Sequence, residues 1–247
     1  MKNHNNTPGS RRQFIKNSAM LAVGATIAPA FFATGETITT TPLMKRTFGR
    51  LGFQVTTLGL GGQSSLQWTP ENTDPVAIIQ KAYNLGVNYF DTSNVYGPSQ
   101  MNYGKAFRLL GLVPGTANYQ SSKRASIFLT SKTMLRFGKG GDDRKAVAGN
   151  TNGIPGSKAL DDVKRSLTQI FGDGQGNYPK ETYLDMVLIH ALGTMEQVDA
   201  LYEGYANPDP NAQTIGALAA LRDVKDGTNR TGLNPGKERL IRHIGFS

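Results

Sequence analysis

The chain has 247 residues, 38% of them hydrophobic and 18% charged, enough for one substantial core. There is no cysteine, which excludes disulfides and thiolate metal sites, and no other metal site is expected. The formal charge is +9, but the lysines and arginines form no dense stripe interleaved with aromatics, so a nucleic-acid surface is not expected.

The polar start runs into Ser10-Arg11-Arg12-Gln13-Phe14-Ile15-Lys16, followed by a small-residue apolar stretch from about Ala19 to Ala33, interrupted by Gly24 and Pro29. Paired arginines ahead of such a stretch resemble a bacterial twin-arginine export signal. The stretch is too short and too rich in Gly and Ala for a stable membrane span. Residues 1–43 are therefore expected to be signal peptide and linker, and residues 44–247 the folded part. The resemblance implies the twin-arginine export machinery as a partner and a periplasmic or otherwise exported location.

Around Gly49-Arg50-Leu51-Gly52, residues 44–55 alternate apolar and polar side chains, predicting a hairpin over one end of the fold. A first core strand is expected over Thr56–Gly62. Asp74-Pro75 supplies an N-cap and a first-turn proline for a helix with Val76, Ile79, Ala82 and Tyr83 on its apolar side and Gly86 past its end. A second strand ends on Asp91, and the loop Asp91-Thr92-Ser93-Asn94-Val95-Tyr96-Gly97 leads to a helix over Ser99–Leu110. After a connector at 111–125, a third strand through Ile127-Phe128-Leu129-Thr130-Ser131 ends on Lys132. The Gly-rich basic segment 135–156 reads as a long loop over the pocket. Its Arg136, Lys139, Arg144 and Lys145 hint at an acidic or polyhydroxylated substrate. Its Gly138-Lys139-Gly140-Gly141 lacks the phosphate-loop pattern.

Ser157 is the expected cap of a helix whose stripe is Leu160, Val163, Leu167 and Ile170. Met186-Val187-Leu188-Ile189 forms a fourth strand ending on His190. Thr194 and Gln197 have capping-box spacing. A helix is predicted over Thr214–Asp226, and Ile241–Ser247 reads as a fifth strand. Strands alternating with helices indicate a parallel sheet of βαβ units. A charge directly after a buried strand is costly unless paired. Asp91, Lys132 and His190 each follow an apolar run, the layout of a (β/α)8 TIM-type barrel, whose active site gathers at the C-terminal ends of its strands.

These residues resemble the aldo-keto reductases. Phe90-Asp91-Thr92-Ser93-Asn94-Val95-Tyr96-Gly97 is similar to the family's Asp/Tyr motif, Thr130-Ser131-Lys132 to its lysine strand, and Asp185-Met186-Val187-Leu188-Ile189-His190 to its histidine strand. The Gly-Arg-Leu-Gly hairpin, Leu58-Gly59-Leu60-Gly61-Gly62 and Ile244-Gly245-Phe246-Ser247 also fit. Gln100 stands where many relatives carry Glu, a departure expected to affect cofactor or helix contacts. The resemblance implies reduction of an aldehyde, ketone or sugar-like carbonyl, a small-molecule substrate, with hydride from NADPH.

In that reading Tyr96 is the general acid. Free tyrosine ionises near ~10, too high for an efficient acid at neutral pH, and a neighbouring ammonium lowers that value. Lys132 supplies the ammonium, Asp91 its counter-charge, and His190 a hydrogen bond to the carbonyl oxygen. Ser247 matches the family's serine against the nicotinamide carboxamide, with Asp91 beside it. Trp68 is a candidate wall of the substrate pocket, next to the substrate contact of His190.

Five strands are counted where the barrel has eight. The chain is thus expected to be a barrel truncated after about the fifth strand, the catalytic half without the main cofactor-gripping half. Two other functions fit the same residues: a non-catalytic, reductase-like cofactor-sensing or protein-binding module, and a Schiff-base aldolase using Lys132.

Overall fold

The computed structural model describes residues 42–143 and 156–247, and Pro42–Ser247 form one compact unit. The export signal and the basic residues Arg144 and Lys145 lie outside the described residues. Among the described residues, no helix is long and apolar enough to cross a membrane, and no cluster of acids and histidines could hold a metal.

The fold opens with a hairpin of β1 (Lys45–Thr47) and β2 (Gln54–Thr56), paired antiparallel around a 3-10 turn at Gly49–Leu51. Phe48 and Phe53 pack on Phe128, their ring centres 5.1 and 5.4 Å from its own. Phe128 begins a central strand, so the hairpin covers the N-terminal end of the sheet, as expected. The sheet has five parallel strands, β3 (Leu60–Gly61), β4 (Tyr89–Asp91), β5 (Phe128–Thr133), β7 (Leu184–Ile189) and β9 (Ile241–Phe246), adjacent in that order. Consecutive parallel strands lying side by side with helical crossovers are the repeating unit of a (β/α)8 barrel.

β3 is far shorter than the predicted strand over Thr56–Gly62. Thr56 is claimed by the hairpin, where it pairs with Lys45, and the glycine-rich remainder has little side chain to hold a ladder.

The crossovers follow from their caps and stripes. Helix α2 (Pro75–Asn84) begins where the Asp74 carboxylate accepts the Val76 N–H at 2.8 Å, with Pro75 in the first turn. It follows the single short turn α1 (Ser64–Gln67). Helix α3 (Ser99–Leu110) buries Tyr103 and Phe107 against Phe90 and stops at left-handed Gly111. The connector at 111–125 holds a short helix, α4 (Ser121–Ala125). Helix α5 (Ala159–Phe171) buries Leu160, Val163, Leu167 and Ile170, the stripe read from spacing. Its cap is not Ser157; the Lys158 N–H donates to the Asp161 carboxylate at 2.8 Å, and an acid in the first turn also meets the positive end of the helix dipole. Before α6 (Met195–Tyr202), Thr194 accepts the Gln197 N–H at 3.4 Å, but the Gln197 side chain reaches back to Gly193 rather than to Thr194.

Two expectations fail around the segment after β5. Residues 137–139 are strand β6 (Phe137–Lys139), paired antiparallel with β8 (Ile215–Gly216). That pairing takes the first residues of the helix predicted over Thr214–Asp226, so α7 spans Ala217–Asp226.

At the end of α7, the buried Asp223 carboxylate gathers the next loop. It accepts the Thr228 and Thr231 hydroxyls, both at 2.6 Å, the Thr231 N–H at 2.8 Å and the Arg230 N–H at 3.0 Å. Burial pushes this carboxyl up, but the four hydrogen bonds outweigh it and hold the group below the usual aspartate range. A carboxyl depressed in the folded state stabilises fully above its unfolded pKa, and that contribution disappears as pH falls through the folded value. Asp223→Asn is therefore expected to lower stability by about 2 kcal/mol at pH 7. The gap between wild type and variant, read from urea midpoints, should close as pH drops below about 4.

Candidate active site

Side chains alternate across a strand, and the register places one set of them on one face at the C-terminal ends of four neighbouring strands. Asp91 pairs in register with Thr130, and Lys132, two residues on, points to the same face. Lys132 pairs with Leu188, and His190 again lies two residues beyond. Leu188 pairs with Gly245, and Ser247 continues that parity.

The Lys132 ammonium is buried and forms an ion pair with the Asp91 carboxylate. It also donates to the Thr92 carbonyl at 3.1 Å. The same ammonium stands 4.8 Å from the centre of the Tyr96 ring, and Tyr96 is 7% exposed. The Tyr96 loop is drawn tight. Thr92 N–H extends the β5 ladder to Thr130, the Thr92 and Ser99 hydroxyls bond at 2.9 Å, and the Ser99 N–H returns to the Tyr96 carbonyl. Gly62 is required where β3 ends against this loop. A Cβ there would lie 2.4 Å from the Ser99 hydroxyl and 2.8 Å from the Asp91 carbonyl.

His190 faces the same mouth. Its Nδ1 is 2.8 Å from the Ser247 hydroxyl and its N–H bonds the Thr133 carbonyl. Burial and then the Lys132 charge push the imidazole below its ordinary pKa, which keeps it neutral at pH 7. If Ser247 donates to Nδ1, the imidazole proton sits on Nε2 and is free to donate. The structure thus brings Asp91, Lys132 and Tyr96 into one contacting group, with His190 within electrostatic reach of Lys132 and Asp91. Trp68, just after α1, is 63% exposed, and a Cβ on Gly97, beside Tyr96, would lie 3.4 Å from the side chain of its neighbour Gln67.

The sequence of this site matches a known family. A model described as the aldo/keto reductase family aligns with residues 57–247. The chain belongs to the aldo/keto reductase family. Over 185 residues it is 25% identical to a pyridoxal 4-dehydrogenase of Microbacterium luteolum, covering 72% of this chain and 52% of that protein. The chain thus spans about half the length of the curated relative it matches. Among solved structures it is similar to an aldo-keto reductase of Pseudomonas aeruginosa, at 22% identity and TM-score 0.47, covering 84% of this chain and 61% of that one. It is also similar to an aldo/keto reductase of Klebsiella pneumoniae in complex with NADP and acetate, at 20% identity and TM-score 0.37, covering 63% and 43%.

Gln100 of this aldo/keto reductase is fully buried, and its amide donates to the Ser131 and Ser166 hydroxyls at 2.9 and 3.0 Å. It joins α3, β5 and α5, so the departure from Glu falls on helix contacts. Of the cations read as substrate-facing, Arg136 is fully buried and bonds backbone carbonyls, and Lys139 donates to the Pro210 carbonyl. Burial withdraws Arg136 from substrate, which corrects that expectation for this residue. Sequence reasoning took Arg136 for a loop cation. The available signal was its setting in Met134-Leu135-Arg136-Phe137, where a charge among large apolar residues points to burial.

Proposed function

We propose that this family member reduces an aldehyde, ketone or sugar-like carbonyl with NADPH, Tyr96 acting as the general acid of an Asp91/Tyr96/Lys132/His190 tetrad. The observation that carries this reading is the buried Lys132–Asp91 pair set against the Tyr96 ring. The name of the Microbacterium relative, a dehydrogenase, supports redox chemistry.

The residues present fit the nicotinamide end of the cofactor. Ser247 has hydroxyl capacity left beyond its bond to His190, and the Asp91 side chain remains 24% exposed beside the ion pair. When bound, the reduced nicotinamide supplies the hydride. The chain's own groups handle the proton. Tyr96 passes its hydroxyl proton to the carbonyl oxygen as the hydride reaches carbon, and the adjacent ammonium of Lys132 stabilises the phenolate until solvent restores the proton. Asp91 pairs with the Lys132 ammonium in its buried place. Neutral His190, donating from Nε2, holds the carbonyl oxygen toward Tyr96. Trp68, exposed after α1, is proposed as an apolar wall of the substrate pocket.

An ammonium bound to both a carboxylate and a carbonyl is a poor amine nucleophile, which disfavours a Schiff-base aldolase. Following NADPH absorbance with a panel of carbonyls, beside borohydride trapping, tests the choice. Carbonyl-dependent NADPH loss without a trapped adduct on Lys132 is expected; an adduct without NADPH loss would reverse the assignment.

Export through the twin-arginine machinery to the periplasm is proposed from Arg11-Arg12 and the apolar stretch that follows. Replacing both arginines by lysine should leave the protein in the cytoplasmic fraction. An unchanged distribution between fractions would rule out that route.

A further inference from the structure

We propose that Arg136 is a positioning residue for His190, aiming the imidazole by clamping the two backbone carbonyls at the end of β7. Its guanidinium donates to the His190 carbonyl at 2.8 Å and the Ala191 carbonyl at 2.9 Å through Nη2, and to the Met134 carbonyl at 2.9 Å through Nη1. The side chain is fully buried, and its Nε has no hydrogen-bond partner among the described residues. Burying a cation whose hydrogen-bond acceptors are neutral carbonyls is expensive even with the Asp143 carboxylate in electrostatic reach, so a residue serving only to fill this space would be apolar. What an arginine adds is a rigid planar fork that reaches successive carbonyls at fixed angles.

The clamp is itself anchored. The Arg136 N–H donates to Asp143 at 2.6 Å, Asp143 is held by Lys158 at 3.1 Å, and the Arg136 carbonyl accepts the Ala217 N–H at 2.8 Å. Its load is visible at Ala191, which has φ +59°, a left-handed conformation that alanine avoids. That turn lets the Ala191 N–H meet the Ser247 carbonyl at 2.8 Å, which sets the Ser247 hydroxyl opposite His190 Nδ1. Arg136 therefore fixes both the carbonyl beneath the imidazole and, through Ala191, the hydroxyl that reads its tautomer. The charged and polar groups around this imidazole are Lys132 from β5, Asp91 from β4, Arg136 from the segment after β5, and Ser247 after β9. The catalytic consequence rests on the reductase reading; the geometric one does not.

The test is nitrogen NMR of ring-labelled histidine in the full chain, with His4 and His243 assigned by substitution. Wild type is expected to show His190 as one neutral tautomer between pH 6 and 8. In Arg136→Met the two ring nitrogens should move toward averaged shifts and the titration midpoint should rise, since a nearby cation is gone. Arg136→Lys should lie between, and Ala191→Gly, which relieves the left-handed strain but loosens the turn, should also mix tautomers. With NADPH and carbonyl, Arg136→Lys should lose up to about 10²-fold in kcat with little change in KM. A His190 signal unchanged in tautomer and midpoint in both Arg136→Lys and Ala191→Gly would overturn the proposal, whether or not Arg136→Met folds. Absence of wild-type turnover would count against the reductase reading alone, and the imidazole signal would still decide on Arg136.

Discussion

Tyr96→Phe is expected to lower kcat for NADPH-dependent carbonyl reduction by about 10²–10⁴-fold, the range for a positioned acid, while the protein stays folded. The substitution removes one hydroxyl and keeps the ring that packs beneath the Lys132 ammonium. Among the described residues, no hydrogen bond from that hydroxyl organises the loop; Thr92, Ser99 and the backbone of Ser93 and Tyr96 do. The loss should therefore fall on turnover, with far-UV circular dichroism and NADPH affinity retained. Steady-state kinetics beside a fluorescence titration of NADPH check this, and activity within a few-fold of wild type would remove Tyr96 from the acid role.

The largest effect on stability is expected at Asp185. Its carboxylate faces Arg124 at 2.8 Å in a pair whose side chains are 2% and 4% exposed, and it accepts the Leu129 N–H at 3.0 Å. Arg124 lies across the Tyr183 ring at 4.0 Å and donates to the Tyr183 carbonyl, while Arg242 covers Tyr183 at 3.7 Å and reaches Asp185 at 3.6 Å. The cluster joins the starts of β5, β7 and β9, the strands that carry Lys132, His190 and the approach to Ser247. Asp185→Ala leaves a guanidinium and a backbone N–H buried without their acceptor, at a cost of about 3–5 kcal/mol. In a domain of this size that corresponds to roughly 10 °C or more in Tm. The pair itself is no great stabiliser, because both charges were taken out of water to form it. The double replacement Arg124→Met with Asp185→Leu should recover most of the loss. Thermal unfolding of wild type and the two variants checks both statements, and a double variant as unstable as Asp185→Ala would contradict the second.

The legible part of this molecule is the part in which polarity and periodicity speak together. Asp91, Lys132 and His190 stood out because each follows an apolar run, and a charge there has to be paired. Their common parity then follows from the register of adjacent strands. Helices announced by a cap, such as Asp74-Pro75, or by a stripe, such as Leu160 to Ile170, formed as read. The β6–β8 pairing was hidden because Phe137-Gly138-Lys139 and Ile215-Gly216 are too short and glycine-rich to show alternation. Arg136 was hidden for a related reason. Its apolar neighbours in Met134-Leu135-Arg136-Phe137 hinted at burial, but the His190 and Ala191 carbonyls it reaches lie more than fifty positions away in sequence, which no local pattern encodes. The Asp223 network is local, its donors lying in the loop that follows its helix, but it shows no alternation or stripe.

The central claim is that Lys132 and Tyr96 act as one unit at a shared mouth, and a double-mutant cycle on kcat tests it most directly. Residues acting as a unit give grossly non-additive losses. Lys132→Met, Tyr96→Phe and the pair together should each fall to about the same residual rate. Losses that multiply, with the double variant slower than wild type by the product of the two single factors, would show that the two groups work apart and would contradict the account.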